Sequence, residues 1–498
     1  MKSETNLFIA GAWTPAANEA VFENLNPATE EVWASVADAD ASDADRAIDA
    51  AAEAQPAWEA LGSTGRAEVL MRVSAAIDEH RDELVDGLIA EVGSVRMKAG
   101  AETFASAGYI AAAIDAAATI EPVELPSNMG KRNLIVRKPV GVVSVISPWN
   151  VPLALSMRAI SYALALGNTV VVKPSEESPV SGGLAIARLF EAAGAPPGVL
   201  NVVTCSRDNV GSVGNRLVDH PAVGAISFTG SERVGRLLAA QAGQQLKKID
   251  LELGGSDAQI ILADADLDGA VDAATFGAFN HAGQICMSTK RIVVEEPVAD
   301  EFIARFAERA GGLAYGSPYE ATTVVGPIIN RGQLDQLQAA VDDAQAKGAR
   351  VLVGGTSEGT CFPPTVLVDV TPEMIAYGTE LFGPVRVVHV AADSEDALRI
   401  ANDSKYGLSG SIWTADIDRG LAMADRFETG MVHINGTTLA AEPHVPFGGI
   451  KASGMGRHCG EGSIEAFTET RWHSVQTSPG QVPPPFAAKT SPEPGQES

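Results

Sequence analysis

The chain of 498 residues predicts an α/β protein whose parallel sheets are covered by helices on both faces. From about Asn133 onward, short runs of β-branched residues alternate with longer alanine-rich stretches of helical spacing. A second series of the same kind follows Glu252. Because parallel strands are joined by long crossovers that are usually helical, the two series predict two parallel-sheet units.

The first series is clearest between residues 141 and 228. A strand over 141–146 is followed by a helix over 153–166, which Gly167 ends, and by a strand over 168–172. Ser178 and Pro179 predict a helix start, with a side-chain cap and a proline in the first turn, and Gly194 predicts its end. The rhythm continues with a strand over 200–203, a helix over 209–218 and a strand over 222–228.

The second series supplies the rest of the predicted core. Its predicted helices are 265–279, 332–347 and 394–402, and its predicted strands are 291–294, 349–353, 364–370 and 385–390. Near the N-terminus, the tract 37–54 is rich in Ala and Asp and predicts a surface helix with its charges in water. After Val475 the composition shifts to Pro, Gly, Ser and Gln, so residues 478–498 are predicted to be a disordered tail.

Composition and charge limit the function classes. Apolar residues make up 46% of the chain and charged residues 20%, as in ordinary globular proteins. The formal net charge of −27 argues against nucleic acid or an anionic membrane surface as a partner. The most apolar region, 140–172, is interrupted by Pro148, Pro152, Arg158 and Asn168 and does not read as a membrane span.

The four cysteines, Cys205, Cys286, Cys361 and Cys459, form no Cys-x-x-Cys pair. This spacing indicates neither a disulfide framework nor a zinc site, and no other metal site is expected. The N-terminus has no apolar segment after a basic start, as a signal peptide would. We therefore expect a protein of the reducing cytoplasm.

Cys286 is the candidate nucleophile. It lies in a short loop between Gly283 and Ser288, and Lys290 and Arg291 follow closely. A cationic neighbourhood favours the thiolate, which is the reactive form. The alternative is that Cys286 is a small buried apolar residue, as most cytosolic cysteines are.

Glu252 is the candidate general base. It lies between two leucines at the end of a predicted strand. A carboxylate with apolar neighbours is costly to bury, which raises its pKa towards that of a useful base. The alternative is an ion pair with Lys247 or Lys248.

Asn150 follows Pro148 and Trp149 at a strand-to-helix junction and offers a side-chain amide. Its alternative role is that of a helix cap or turn residue. A thiolate, a carboxylate and an amide donor together form a site for covalent acyl transfer, in which the amide holds the developing oxyanion. This combination predicts an enzyme.

The sequence also contains a weak nucleotide signal. It has no Gly-x-Gly-x-x-Gly fingerprint, P-loop or Gly-x-Ser-x-Gly elbow. The segment 228–235 does predict a strand that runs into a glycine turn and a helix, whose N-terminus suits a pyrophosphate. Lys173 and Glu176, three residues apart, suit ribose hydroxyls, although an ordinary loop at a strand end explains them equally well.

Taken in order along the chain, these residues resemble the NAD(P)-dependent aldehyde dehydrogenase superfamily. The resemblance extends from Asn26 to about Thr477. The segments that carry it are Asn26-Pro27-Ala28-Thr29, Pro148-Trp149-Asn150, Lys173-Pro174-Ser175-Glu176, Phe228-Thr229-Gly230-Ser231, Leu251-Glu252-Leu253-Gly254-Gly255, Gly283-Gln284-Ile285-Cys286, Glu380-Leu381-Phe382-Gly383-Pro384 and Pro446-Phe447-Gly448-Gly449-Ile450-Lys451.

The resemblance implies that Cys286 attacks the aldehyde carbon, that Asn150 and the Cys286 N–H hold the oxyanion, and that Glu252 activates the water that hydrolyses the thioester. It implies NAD as cofactor, because the Glu176 carboxylate repels the 2′-phosphate of NADP. NADP is a second possibility. The implied cofactor contacts are Ser147, Trp149, Lys173, Ser175, Glu176, Gly230, Ser231, Leu253, Glu380 and Phe382.

The resemblance also implies a domain arrangement. A cofactor domain is expected over 1–120 and 140–252, and a catalytic domain over 253–447. A β-hairpin arm for oligomerisation is expected over 121–139, joined by a C-terminal strand over 469–477. Neither arm segment forms a core alone, so we expect a homodimer or homotetramer.

Two departures from the family pattern bear on function. Arg457 is followed by His458, where many relatives carry an acidic residue, so a proton-relay role there is in doubt. Arg158 stands where many aliphatic-aldehyde enzymes place a tryptophan. With the segments 284–289 and 465–472, this resembles the aromatic-aldehyde branch. The expected substrate-pocket residues are Val151, Arg158, Ile285, Met287 and Phe447.

Arg158 is expected either to meet a ring hydroxyl or carboxylate of the substrate or to pair with a structural carboxylate. An aliphatic aldehyde or semialdehyde is the alternative substrate class. A coenzyme A-acylating relative fits less well, because that branch typically lacks the water-activating glutamate. A non-catalytic protein on the same fold is the alternative from another functional class.

Overall fold

The computed structural model describes residues 5–476 and Phe486. The predicted tail, residues 478–498, lies outside the described residues apart from Phe486. The first elements are β1 (Leu7–Ile9), β2 (Ala12–Thr14), β3 (Val21–Leu25), β4 (Val32–Ala37), α1 (Ala41–Ala60), α2 (Gly62–Glu79), α3 (Arg81–Val92), α4 (Arg96–Ala118), β5 (Val123–Leu125) and β6 (Arg132–Pro139).

Two alternating series follow. The first consists of β7 (Val142–Ile146), α5 (Pro152–Ala165), β8 (Thr169–Lys173), a π-helical segment (Val180–Leu184), α6 (Ala185–Ala192), β9 (Leu200–Val202), α7 (Val210–Asp219), β10 (Val223–Thr229), α8 (Glu232–Gln244) and β11 (Lys248–Glu252). The second begins with β12 (Asp257–Ile261), α9 (Leu267–Phe279), a 3₁₀ turn (Asn280–Gly283), β13 (Thr289–Glu295), α10 (Glu296–Gly311), α11 (Arg331–Ala346), β14 (Arg350–Val353), β15 (Thr365–Val368), α12 (Ile375–Gly378) and β16 (Val385–Ala391). It ends with α13 (Ser394–Asn402), β17 (Tyr406–Gly407), β18 (Ser409–Trp413), α14 (Ile417–Ala424), β19 (Met431–Ile434), β20 (Ile450–Lys451), β21 (Gly454–Met455), α15 (Gly460–Phe467) and β22 (Thr468–Val475).

The first sheet has the strand order β2-β1-β9-β8-β7-β10-β11-β21, and its five central strands are parallel. The chain starts these five strands at β7, adds β8 and β9 on one side, and then adds β10 and β11 on the other. The strand order therefore reverses between β7 and β10. In open parallel sheets, the crevice beyond the carboxyl ends at such a point is the usual place for a ligand.

Side chains on the parallel strands alternate between two apolar layers. Val143 and Val145 pack with the helices α2 to α6, whereas Val142 packs on the opposite side with residues of α1, α7 and α8. On β8, Val170 and Val172 face the first layer and Val171 faces the second. Because both faces are apolar, these strands read as continuous β-branched runs.

The second sheet has the strand order β14-β15-β16-β13-β12-β18-β19 and is parallel from β15 to β19. Helices α9 to α12 cover one face, and α13 and α14 cover the other. The prediction of an α/β class with two parallel-sheet units is therefore confirmed.

Two local predictions need correction. The stretch after Ser178 begins as a π-helical segment, and the Glu91 carboxylate, rather than Ser178, accepts the Val180 and Ser181 N–H groups at 2.8 and 2.6 Å. The alanine-rich tract is not simply a surface helix, because the side of α1 that carries Ala47 is fully buried. The helices α2 to α4 have no counterpart among the predicted elements.

Three antiparallel strands in the order β22-β6-β5 form a separate sheet, in which β22 comes more than three hundred residues after the β5 and β6 pair. Most residues of β22 are exposed, including Trp472, so this sheet has little core of its own. Among residues 5–476, no helix combines the length and the apolar character needed to cross a bilayer.

Candidate active site

The predicted site residues converge beyond the carboxyl ends of the central strands of the first sheet. Ser147 follows β7, Lys173 ends β8, Gly230 follows β10 and Glu252 ends β11. The Cys286 loop approaches from the second unit, where a Cβ added to Gly255 would lie 3.0 Å from the Cys286 carbonyl oxygen. The site therefore lies where the two sheets meet, next to the strand reversal.

The loop that carries Cys286 is reached through a strained turn. His281, Ala282 and Gly283 have φ values of 52°, 54° and 68°, in the left-handed region. Glycine is required at position 283, because a Cβ there would collide with the Arg386 guanidinium. Backbone strain of this kind persists only where surrounding contacts enforce it.

Lys290 holds the Cys286 loop in place. Its buried ammonium donates to the carbonyl oxygens of Ile285, at 3.0 Å, and of Cys286. Arg291 points elsewhere and donates to three main-chain carbonyl oxygens, among them that of Ser256 at 2.9 Å. Of the two cations expected near the thiol, only Lys290 donates hydrogen bonds to this loop.

Cys286 as a whole residue is partly exposed, and it forms no disulfide. Burial of the surrounding site raises its pKa to about 12, which outweighs the opposing effects of Lys290 and Arg158, while Glu252 adds to the rise. Lys290 does favour the thiolate, as expected, but burial has the larger effect and the net pKa is raised. At this pKa the sulfur is protonated at neutral pH.

Asn150 directs its side chain towards the Cys286 loop. Its Nδ2 donates to the Gln284 carbonyl oxygen at 2.8 Å, two residues before Cys286. It does not cap α5, because the N-cap position of that helix is Val151 and no N-cap side chain accepts a hydrogen bond there. An amide nitrogen carries two hydrogens, so the second remains for an oxyanion.

Glu252 is buried, and neither of its carboxylate oxygens has a hydrogen-bond partner among the described residues. Burial raises its pKa well above the usual value; Asp250 adds to the rise, and Arg158 and Arg457 oppose it. The alternative role in an ion pair is wrong. Lys247 donates to main-chain carbonyl oxygens, and Lys248 pairs with Glu469 at 3.4 Å.

Two glycines leave room around this carboxylate and its neighbour on the strand. A Cβ on Gly448 would lie 2.5 Å from Glu252 Oε1, and one on Gly456 would collide with the Asp250 carboxylate. Asp250 pairs in turn with His458, Oδ2 to Nε2, at 2.9 Å. Burial lowers the pKa of His458 despite this partner. The position after Arg457 thus holds a buried His–Asp pair.

The first group of predicted cofactor residues lies together at the ends of β7 and β8. The Glu176 carboxylate is 3.8 Å from Lys173 Nζ and 3.2 Å from Arg207 Nε, and Ser175 Oγ donates to it at 3.4 Å. Burial raises the pKa of Glu176, but Lys173 and Arg207 outweigh this effect, so the net pKa is lowered. Ser147 accepts a hydrogen bond from Ser156 Oγ at 2.7 Å.

The second group lies at the start of α8 and across the junction with the second unit. Ser231 is the N-cap of α8 and follows Gly230, whose N–H donates to the Glu252 carbonyl oxygen at 2.9 Å. Leu253 packs against α8, where a Cβ on Gly235 would lie 2.5 Å from its Cδ2.

Glu380 crosses from the second unit and accepts the Gly255 N–H at 3.1 Å. A Cβ on Gly254 would collide with its carboxylate. Trp149 meets Phe382 edge to face, with ring centroids 5.4 Å apart. Free helix N–H groups for a pyrophosphate and carboxylates for ribose hydroxyls fit a dinucleotide.

The expected substrate-pocket residues surround Arg158. Its buried guanidinium lies 4.6 Å from the centre of the Phe447 ring. Burial raises the pKa of the neighbouring Tyr109, and the guanidinium charge opposes that rise in part. Arg158 Nε has no partner among the described residues, and no carboxylate pairs with the guanidinium there. Val151, Met287 and Phe447 belong to the same apolar cluster, and Ile285 is buried beside Cys286.

Several residues of this site escape sequence reasoning. Tyr109, Lys98 and Glu102 lie on α4, in a stretch where no helix was predicted, and Asp250 lies on β11 before Glu252. Lys98 and Glu102 are four residues apart, a spacing that normally marks an exposed pair on a helix. Within residues 5–476, no cluster of three His, Cys, Asp or Glu side chains is placed to hold a metal.

Comparison with known proteins gives consistent matches over nearly the whole chain. The model of the aldehyde dehydrogenase family matches residues 13–473. The benzaldehyde dehydrogenase YfmT of Bacillus subtilis (strain 168) is 43% identical over 475 residues, which cover 94% of this chain and 96% of that protein. The vanillin dehydrogenase of Corynebacterium glutamicum is 42% identical over 477 residues, covering 95% and 98%. The crystal structure of a salicylaldehyde dehydrogenase from Pseudomonas putida G7, complexed with salicylaldehyde, superposes with a TM-score of 0.94 at 38% identity, covering 97% and 100%.

Proposed function

The chain belongs to the aldehyde dehydrogenase family and oxidises an aldehyde, and from this premise we propose that its substrate is aromatic and its preferred oxidant NAD. We also assign the chemistry to Cys286, Glu252 and Asn150. The observation that carries this assignment is the approach of the Asn150 amide to the Cys286 loop, 2.8 Å from Nδ2 to the Gln284 oxygen. An amide donor beside a nucleophile is the arrangement that acyl transfer requires.

The reaction begins when Cys286 gives its proton to solvent water and its sulfur bonds to the aldehyde carbon. The carbonyl oxygen becomes an oxyanion, which accepts hydrogen bonds from the free hydrogen of Asn150 Nδ2 and from the Cys286 N–H. The nicotinamide, when bound, supplies the acceptor for the hydride that leaves this carbon. The carbon then remains on Cys286 as a thioester.

Hydrolysis needs a base beside the thioester. Ionised Glu252 takes one proton from water, and the resulting hydroxide attacks the thioester carbon, which expels the Cys286 thiolate and releases the carboxylic acid. Neither Glu252 oxygen has a hydrogen-bond partner within residues 5–476, which supports this role, since both remain available to a water molecule. Its raised pKa makes the carboxylate a stronger base than an exposed glutamate.

The aromatic substrate is supported by Arg158, Tyr109 and Phe447. Arg158 Nε has no partner within the described residues, although the guanidinium is almost completely buried. An unpaired buried donor favours a ligand that brings an acceptor, such as a ring hydroxyl or methoxy oxygen. The similarity to benzaldehyde, vanillin and salicylaldehyde dehydrogenases points to the same substrate class.

The preference for NAD is supported by Glu176. The family uses NAD or NADP, which differ by a phosphate on the adenosine ribose. Glu176 presents a partly exposed carboxylate, which accepts hydrogen bonds from ribose hydroxyls and repels a phosphate. Arg207 already pairs with Glu176 and weakens this repulsion, so NADP is the slower cofactor rather than an excluded one.

The assembly is proposed to be a homodimer or homotetramer in which the arm, 121–139 with 469–477, pairs with another subunit. The sheet of β22, β6 and β5 is mostly exposed, and Trp472 and Val123 are among its exposed apolar side chains. A three-stranded sheet without a core of its own gains stability by packing against another surface.

The test is the initial rate of NADH or NADPH formation with benzaldehyde, salicylaldehyde, vanillin, propanal and succinic semialdehyde, each with NAD and with NADP. We expect higher kcat/KM for the three aromatic aldehydes and for NAD. An advantage for propanal or the semialdehyde would reject the aromatic substrate and retain the mechanism. No activity with any aldehyde would favour a non-catalytic protein.

A further inference from the structure

A buried ion pair on α4 lies behind the site. Lys98 and Glu102 are one helical turn apart and form an ion pair in which their side chains are 5% and 1% exposed. Burial lowers the pKa of Lys98, and the Glu102 carboxylate opposes that change. Removing two charges from water is costly, so such a pair is a weak source of stability and calls for another explanation.

The carboxylate of this pair caps the helix that begins beside Asn150. Glu102 Oε1 accepts the N–H groups of Leu153 at 2.8 Å and Ala154 at 3.3 Å, in the first turn of α5. The N-cap residue Val151 provides no capping side chain. Glu102 therefore satisfies free N–H groups of α5 from a different helix and places a negative charge at the positive end of its dipole.

The ammonium of the pair holds Asn150 itself. Lys98 Nζ donates to the Asn150 carbonyl oxygen at 2.8 Å and to Ser94 Oγ at 3.0 Å. Asn150 is thus held at its main-chain carbonyl by α4, while its side-chain amide reaches the Gln284 carbonyl oxygen.

We infer that Lys98 and Glu102 are positioning residues that orient the Asn150 amide towards the oxyanion formed on Cys286. The pair fixes the Asn150 peptide through its carbonyl and the following helix turn through its N–H groups, so it controls where Nδ2 points. This inference rests on the proposed function, in which Asn150 holds the oxyanion. A misplacement of about 1 Å in such a group costs on the order of a hundredfold in rate.

A double-mutant cycle between Lys98 and Asn150 tests the inference. The rate of the first NADH burst, which reports hydride transfer, is measured for the wild type, Lys98→Met, Asn150→Ala and the double variant with benzaldehyde and saturating NAD. We expect Asn150→Ala to slow the burst about a hundredfold to a thousandfold and Lys98→Met at least about tenfold. The double variant should be within about twofold of Asn150→Ala, because Lys98 acts through that amide.

Fully multiplicative losses in the double variant would overturn the inference and leave the proposed function intact. If Asn150→Ala leaves the burst unchanged, the assigned role of Asn150 itself fails. These two failures are therefore distinguishable within one experiment.

Two further measurements separate positioning from general damage. Alkylation of Cys286 by iodoacetamide needs no oxyanion donor, so its rate and the affinity for NAD should stay within about twofold in Lys98→Met. A second variant, Glu102→Gln, keeps an acceptor for the α5 N–H groups but loses the charge. It should slow the NADH burst, and combining it with Asn150→Ala should add little further loss. Loss of alkylation or of NAD binding in step with the burst would overturn the inference.

Glu91→Gln is the matched control. Glu91 is also a buried carboxylate that accepts two N–H groups at a helix start, those of Val180 and Ser181. Within residues 5–476, its carboxylate forms no ion pair with Lys98 and no hydrogen bond with Asn150, so its variant should leave the burst within about twofold of the wild type. Equal slowing by Glu91→Gln and Glu102→Gln would overturn the inference.

Discussion

The ionisable groups are paired at one end of the site and unpaired at the other. At the ribose end, defined by Lys173, Glu176 and Arg207, every charge has a partner, and the net effect lowers the pKa of Glu176. At the thiol end, defined by Cys286 and Glu252, burial dominates and raises both pKa values. Paired charges near solvent suit recognition of a ligand, whereas unpaired buried groups are held ready for proton transfer.

The largest effect should come from removing the thiol. Cys286→Ala eliminates the atom proposed to bond to the substrate, so kcat with benzaldehyde should fall by about four orders of magnitude or more. The ribose end is untouched, so NAD affinity, measured by calorimetry, should stay within about twofold. Retained turnover would refute the covalent mechanism, and lost NAD binding would show that the two ends are not independent.

Removing the base should split the reaction into two phases. Glu252→Gln keeps the shape of the side chain but cannot take a proton, so the thioester should form and then hydrolyse about a hundredfold to ten-thousandfold more slowly. Stopped-flow measurement should show a burst of NADH of about one equivalent, followed by slow turnover. Glu176→Gln is the control at the ribose end and should show no burst followed by a stall. Unchanged steady turnover would remove Glu252 from hydrolysis.

The raised pKa of Cys286 predicts a steep pH dependence of its reactivity without ligands. Because only the thiolate reacts and its pKa is about 12, the rate of alkylation by iodoacetamide should rise about a hundredfold from pH 7 to pH 9. Cys286→Ala provides the background from the other cysteines. A plateau below pH 8 would mean that the neighbouring cations outweigh burial.

Hydrolysis of the thioester should also depend on a deprotonated group and should slow at low pH. Water activation needs ionised Glu252, so hydrolysis should slow as pH falls through the folded-state pKa of this group. Since that pKa lies well above 4.5, the decline should begin at a higher pH than for an exposed glutamate. Single-turnover rates of acid release measure this decline in hydrolysis. A hydrolysis rate that stays constant down to pH 5 would contradict the raised pKa.

Substitution of Arg158 tests substrate recognition at the thiol end. Arg158→Met keeps much of the side-chain length and removes the donor, so kcat/KM for salicylaldehyde should fall about tenfold to a hundredfold. Benzaldehyde has no ring hydroxyl and should lose less, which makes the ratio of the two substrates the informative quantity. Equal losses for both aldehydes would indicate a packing role beneath Phe447.

The smallest effect should come from the ribose end. Glu176→Gln removes the repulsion of a 2′-phosphate, so the ratio of kcat/KM with NAD to that with NADP should fall by about tenfold. Arg207→Ala should change this ratio in the opposite direction, because it leaves Glu176 less neutralised. Initial rates with each cofactor measure both effects, and an unchanged ratio in both variants would remove this pair from cofactor selection.

Much of the fold follows from local patterns. The strands β7, β8 and β10 and the helix α5 lie within a few residues of their predicted bounds, because continuous β-branched runs and alanine-rich runs differ in length and end signals. Helices α2 to α4 were missed, although α4 carries Lys98, Glu102 and Tyr109. The Lys98 and Glu102 pair on α4 has the spacing of an exposed helical pair, and only the packing of α4 against α5 and its other neighbours buries it.

The sequence by itself determined the alternating α/β architecture and the three groups proposed to react, Cys286, Glu252 and Asn150. Each of these residues lies in a short motif at the end of a predicted element, where chemistry and local geometry are readable together. The tertiary structure alone decided the burial that raises the pKa values of Cys286 and Glu252, and the anchoring of Asn150 by α4. Desolvation depends on every atom that surrounds a group, and those atoms come from segments far apart in the chain.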